Sequence, residues 1–255
     1  MAKNIKKRSA SHIYFGVNKL TGELKHISEV PSGQKCNCIC AACLQPFEAR
    51  KGTRRRHHFA HVSNYECMYA SEVAIYKAFA EALKQSGFLT LSPVMLRFPA
   101  WHDPELLQEA RRLKIDSVAF ECEPLSYPPL LRVTMQGTPL RILLDFDRYY
   151  DDDDRVELAE EAKAEDYSLL LISMPKIEQD TEFTPDRLQS ALQDNDRTEW
   201  VFSRLEEQWK QKYYAVAVSP PEHGTGNLCP ISFGKYKGKY SAPVSYTHLT
   251  LPTNS

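Results

Sequence analysis

Short alternating runs of apolar and polar residues open the chain. His12-Ile13-Tyr14-Phe15-Gly16-Val17 and Glu23-Leu24-Lys25-His26-Ile27-Ser28 flank Asn18-Lys19-Leu20-Thr21-Gly22, and the pattern predicts a hairpin. The period then lengthens. Val73, Tyr76, Phe79, Ala80 and Leu83 recur at helical spacing within 69–83, and Gly87 closes that helix. Residues 88–98 read as extended and broken by Pro93, and 101–113 as a short helix. Strands follow at 115–122, 130–135 and 140–146, the last two joined through Gln136-Gly137-Thr138-Pro139. Residues 155–163 predict a polar helix. The nearly all-apolar run 167–173 predicts a central strand covered on both faces. Thr184-Pro185 is a cap with proline at the first helical position, and helix is expected to about Tyr213 with an interruption near Asn195. Leu205 and Trp209 share a face there. The order helix, three strands, helix, strand predicts an α/β domain with a mixed sheet.

Composition fits a packed protein. The chain has 255 residues, 42% apolar and 25% charged, enough for one large domain or a small one beside a medium one. No apolar run approaches a membrane span, so no membrane partner is expected. The basic start lacks the apolar stretch of a secretory signal, which makes cytoplasmic the expected location.

The net charge of −1 hides an asymmetry. Residues 1–70 hold 12 Lys and Arg against 4 Asp and Glu, a net of +8, and the rest of the chain carries −9. Arg50, Lys51, Arg54, Arg55 and Arg56 cluster in one loop, as a contact to nucleic-acid phosphates would require. The plain alternative is a solvated loop. The run Asp151-Asp152-Asp153-Asp154 reads as a solvated loop and is assigned no function.

That basic loop lies between two sets of metal-ligand residues. Cys40 and Cys43 form a C-x-x-C pair, and His57, His58 and His61 follow the loop. Two short-range pairs of thiolate and imidazole are what a tetrahedral structural zinc requires. His57 with His61 gives H-x3-H, whereas His58 with His61 would set two ligands on one turn. Cys36 and Cys38 are spare thiols, expected to alternate along a strand in step with Cys40. The alternative is a set of buried free cysteines. Seven cysteines in a chain of this size argue against a disulfide framework.

Cys40-x-x-Cys43, the basic stretch, His58-Phe59-Ala60-His61, Cys67 and a helix bearing Glu72 together resemble the competence protein CoiA-like family and related bacterial zinc-ribbon proteins. The resemblance covers roughly residues 12–84. It implies zinc ligands at Cys40, Cys43, His58 and His61, favouring His58 over His57. It also implies a restriction-endonuclease-like, PD-(D/E)XK core of order α-β-β-β-α-β, with Glu72 and Asp145 as catalytic carboxylates and Mg²⁺ as a further cofactor. Two departures weaken catalysis. Leucine replaces the expected aspartate near Pro128-Pro129-Leu130, and Asp147 stands where lysine or glutamine is expected. Asp116, Glu121 or Glu123 would have to supply a displaced carboxylate.

The expected layout is a basic zinc module over 1–65, a nuclease-like domain over 66–215, a linker or truncated segment over 216–243, and a tail over 244–255 that resembles translated sequencing-adaptor DNA. The expected function is zinc-dependent nucleic-acid binding, DNA first, with a degenerate nuclease-like domain linked to DNA uptake or processing. The alternatives are an active Mg²⁺-dependent nuclease and a zinc-stabilised module that binds a protein partner.

Overall fold

A computed structural model describes residues 12–63, 67–97, 104–123, 127–146, 150–175 and 182–218. Asp147 and the segments 219–243 and 244–255 lie outside them. Strands β1 (Phe15–Asn18), β2 (Leu24–His26), β3 (Cys38–Ile39), β4 (Phe47–Arg50) and β5 (His58–His61) precede helix α1 (Ala70–Ser86). Then come β6 (Phe88–Leu91), β7 (Val94–Leu96), β8 (Glu105–Gln108), β9 (Arg111–Lys114), β10 (Ser117–Glu121), β11 (Leu130–Met135) and β12 (Thr138–Phe146). The series ends with α2 (Asp152–Ala164), β13 (Ser168–Met174), α3 (Pro185–Ala191), β14 (Thr198–Phe202) and α4 (Arg204–Val218). The result is a mixed α/β fold.

The expected hairpin forms, with Phe15 opposite His26, and β3 adds to its other edge in the order β2-β1-β3. Strands β4 and β5 make a second hairpin, Phe47 opposite His61 and Arg50 opposite His58. Gly16 allows these layers to meet, since a Cβ there would stand 3.1 Å from Cys38 Cβ and 3.3 Å from the Phe47 ring.

The main sheet has the order β10-β11-β12-β13-β14. Strands β10, β11 and β12 form an antiparallel meander, β13 lies parallel to β12 after the α2 crossover, and β14 closes the edge antiparallel. Gln136 and Gly137 have φ of 51° and 73°. This is the two-residue hairpin turn that matches strand twist, and it is tighter than the four-residue turn expected.

Period-2 alternation sorts the sheet's side chains. Ile142, Leu144, Leu170 and Ile172 join α1 residues Val73, Tyr76, Phe79 and Leu83 in one core. Leu143, Leu169 and Leu171 pack on the other face with Tyr150 and Ala162. Strand β13 is therefore buried on both sides, as its sequence predicts. Core residues ahead of α1, among them Cys36, Cys38, Phe47 and Phe59, belong to the same cluster as α1 and the sheet.

The described chain forms two compact units. One contains the described residues up to Val94 together with Leu106–Arg204. The other takes the described parts of Met95–Glu105 and of the chain from Leu205. The expected boundary near residue 65 falls inside the first unit. In the second unit, Glu206 is 7% exposed, accepts from the Arg97 backbone N–H at 3.0 Å and pairs with Lys210 at 3.0 Å.

Three expected elements differ. Residues 105–108 and 111–114 are strands, because β9 finds a partner in β6, Phe88 opposite Lys114. The long C-terminal helix is split by β14, where Trp200, Val201 and Phe202 suit the open edge of β13. The acidic run opens α2. Asp151 caps it, accepting from the Asp154 N–H at 2.9 Å, and Asp154 answers to the Asp151 N–H. Carboxylates favour a helix N-terminus because its first N–H groups lack partners and carry partial positive charge.

Candidate metal centre

Strand β3 runs into a turn that places Cys40 and Cys43 together. The Cys40 N–H bonds the Gln45 carbonyl at 2.9 Å, the Leu44 N–H bonds the Cys40 carbonyl at 3.0 Å, and Leu44 sits at φ 61°. The same turn aims the Ala42 N–H at Cys40 Sγ, 3.4 Å away. His61 ends β5, where its ring meets the Phe47 ring edge-on at 4.8 Å. Cys67 lies just before α1.

The ligand atoms of Cys40, Cys43, His61 and Cys67 all lie within 4.8 Å of one another. Cys43 Sγ and His61 Nε2 are 3.2 Å apart. A tetrahedral zinc with Zn–S near 2.3 Å implies ligand–ligand edges of roughly 3.8 Å, so small shifts close this set around one ion. Cys40 is fully buried, His61 is 7% exposed, and Cys43 and Cys67 are half-buried. Three soft sulfurs and one imidazole suit a structural metal such as zinc.

The thiols are already polarised. Cys67 is pulled down to about 6, chiefly because Cys40 donates a hydrogen bond to it, with the Tyr69 backbone also helping. Cys40 is pushed up by that same bond and by burial. Cys43 and His61 are shifted, up and down respectively, mainly by burial. A cation bound here would replace the shared proton and let all three sulfurs be thiolates.

His58 does not join the cluster. It and His61 are three positions apart on an extended strand, so they face opposite sides; a helical turn would have set them together. His58 Nδ1 instead contacts the Arg56 carbonyl at 2.9 Å, and its ring meets His12 edge-on at 4.5 Å. His57 is exposed in the loop. The sequence reading missed Cys67 as a ligand, although His61-x5-Cys67 directly before a helix is a visible signal. Cys36 ends a short 3₁₀ turn and does not continue a strand. Cys36 Sγ donates to the Phe47 carbonyl at 3.4 Å, and Cys38 Sγ to the Cys36 carbonyl at 3.2 Å. Burial pushes Cys38 up to about 12, which keeps it a thiol.

The β4–β5 hairpin links the cluster to the basic loop. His61 stands at its base, and Arg50 opposite His58 at its far end, roughly 10 Å away at the usual rise per strand residue. Arg54, Arg55, Arg56 and His57 are exposed on the tip. Arg50 pairs with Glu48 at 2.8 Å, and Lys51 Nζ is held by the Ser28 and Val30 carbonyls. Lys51 thus serves the loop's structure and Arg54 to Arg56 are its outward charges.

The expected catalytic carboxylates are dispersed. Glu72 is 4% exposed on the first turn of α1, close enough to Cys67 for its charge to be felt there. Asp145 is 2% exposed and alternates with Leu144, so it belongs to the α2 face, opposite α1. Its partners agree. Asp145 accepts from the Tyr150 N–H at 3.4 Å and faces the Arg155 guanidinium at 3.9 Å. Asp116 accepts from the Gly137 N–H at 3.0 Å and holds the β11–β12 turn. Glu121 pairs with Arg132 at 2.7 Å, and Glu123 is exposed.

Strand β11 begins after Pro128-Pro129, where the expected aspartate is missing. The Leu144 N–H beyond that point is taken by the fully buried Tyr76 hydroxyl at 2.7 Å. Among the described residues, Glu72 and Asp145 belong to no group of three ligand side chains of the kind Cys40, Cys43, His61 and Cys67 form.

Fold and site together define an α/β protein with a Cys/His cluster able to hold a metal. No helix among the described residues is long and apolar enough to cross a membrane. No model of a protein family, no curated protein and no solved structure matches the chain.

Proposed function

We propose that this chain is a zinc-stabilised nucleic-acid-binding protein whose sheet domain keeps a restriction-endonuclease-like layout without its catalytic centre. One observation carries the reading: three consecutive arginines stand exposed at the tip of a hairpin whose base belongs to the Cys/His cluster. Zinc at that base fixes the hairpin, and a fixed array of guanidiniums suits a phosphate backbone. The succession α1, β10-β11-β12, α2, β13 supports the nuclease-like layout. The resemblance to CoiA-like proteins sets DNA uptake or processing as the context, with DNA the first partner.

Loss of catalysis follows from charge and placement. Mg²⁺ keeps most of its waters and is held only where carboxylates converge with substrate phosphates. Here Arg155 faces the Asp145 carboxylate, and α1 carries Glu72 on the other side of the sheet.

The test is DNA binding by the full chain at several salt concentrations. Arg54→Ala, Arg55→Ala, Arg56→Ala together should weaken binding and lower the salt slope by about 2 to 3, since each duplex phosphate neutralised contributes about 0.9. Unchanged affinity and slope would remove the nucleic-acid reading and leave the protein-interaction one.

A further inference from the structure

Helix α1 ends at Gly87, whose φ of 64° turns the chain directly into β6. The Ile115 N–H bonds the Gly87 carbonyl at 2.8 Å, which ties the end of β9 to the start of β6. Residues opposite each other in an antiparallel pair share a face, and faces alternate along each strand. Leu89 and its partner Leu113 therefore share one face with Leu91. Phe88 opposite Lys114 and Thr90 opposite Arg112 form the other. Leu89 and Leu91 are buried in the core, with Leu113 packed against it. The second face is turned to solvent. Phe88 is 39% exposed, and Arg112 and Lys114 are exposed beside it.

The charge on that face is uncompensated. Arg132, Arg141, Arg155, Arg197 and Arg204 each meet a carboxylate at 2.7 to 2.9 Å. Arg112 and Lys114 have no such partner among the described residues. The Arg112 guanidinium lies instead over the Phe88 ring, 4.5 Å from its centroid. Two residues along one strand set the two cations about 7 Å apart. A ring flanked by cations with no acid to neutralise them is complementary to a base and its phosphates. Bases stack on rings and on guanidinium planes, and the cations meet the backbone. Duplex bases are already stacked on each other, so only an unpaired strand can use the ring.

We propose that the outer face of the β6–β9 pair is a second nucleic-acid surface, specific for single strands, with Phe88 and Arg112 stacking on a base and Arg112 and Lys114 neutralising its flanking phosphates. The buried leucines on the inner face hold this platform in place. The ligand class rests on the nucleic-acid reading above, but the residues are separate from the three arginines that carry it.

The experiment uses the full chain and two labelled probes, an oligothymidylate single strand and a blunt duplex, each titrated at several salt concentrations. Phe88→Leu keeps an apolar side chain but removes the ring. It should weaken single-strand binding about tenfold, as loss of one base stack does, and leave duplex binding unchanged. Phe88→Tyr keeps the ring and should bind the single strand like the wild type. Arg112→Gln with Lys114→Gln should lower the single-strand salt slope by about 1.4, since each phosphate neutralised on a single strand contributes about 0.7. Unchanged thermal unfolding of each variant shows that its fold is intact.

Single-strand binding indifferent to Phe88→Leu, or weakened by it no more than duplex binding, would overturn the proposal. So would an unchanged salt slope in the Arg112→Gln, Lys114→Gln variant. If the tip variant Arg54→Ala, Arg55→Ala, Arg56→Ala loses both probes while the β6–β9 variants bind like the wild type, the tip reading stands and this surface is excluded. Single-strand binding that depends on Phe88, Arg112 and Lys114 but not on the tip would uphold this surface and remove the tip reading. Binding of neither probe by the wild type would overturn both.

Discussion

Replacing Cys67 and replacing His58 separate the geometry of the cluster from the expectation drawn from spacing. Cys67 Sγ lies within 4.8 Å of the other three ligand atoms and receives a hydrogen bond from Cys40. His58 instead meets the Arg56 carbonyl and the His12 ring. Structural zinc contributes about 10–16 kcal/mol to small sites at neutral pH. One ligand of four then accounts for roughly 3–4 kcal/mol, or about 10²- to 10³-fold in affinity. Cys67→Ser should lower zinc affinity by that factor, measured by competition with a chromophoric chelator. It should also lower the melting temperature in the presence of zinc, because the cluster's residues share one core with α1 and the sheet. His58→Ala should retain stoichiometric zinc and near-normal affinity. Zinc loss in His58→Ala equal to that in Cys67→Ser would refute the assignment, as would full zinc retention in Cys67→Ser.

Three further outcomes follow from other parts of the molecule. Tyr76→Phe removes the partner of the buried Leu144 N–H and should destabilise the protein by about 1–3 kcal/mol in urea unfolding, the cost of a buried unsatisfied donor; no change in midpoint would contradict it. No Mg²⁺- or Mn²⁺-dependent cleavage of single- or double-stranded DNA should exceed background, and cleavage abolished by both Glu72→Ala and Asp145→Ala would show a working site. His26 is held below its ordinary value by burial, so the unfolded chain takes up its proton first as pH falls. Stability should therefore decline as pH drops below about 6.5, the ordinary histidine value, and less so in His26→Asn; identical pH profiles for the two would exclude that role.

Periodicity in the chain was enough to place α1, the strands β10 to β13 and the mixed character of the sheet. These elements are long, or buried on one or two faces, and each face leaves a repeat in the sequence. The C-x-x-C turn was equally legible, because a ligand pair on a tight turn is a local property. Where the chain depends on partners far away in sequence, local pattern failed. Strand β9 exists because β6 offers an edge, and β14 because β13 does. Propensity alone favoured helix in both places, and pairing overrode it.

The fourth ligand and the fate of the catalytic carboxylates were decided in the same way. His58 and His61 look interchangeable in sequence, but pairing with β4 makes their segment a strand and sends them to opposite sides. Cys67 reaches the cluster only because the chain returns to it before entering α1. Strand parity also turns Asp145 toward α2 and away from the helix that carries Glu72. The sequence by itself determined which residue types were present to hold a metal, the basic tip and the secondary-structure pattern. Tertiary structure decided which side chains meet, because the face a strand residue occupies is set by its pairing register and a one-residue shift reverses it.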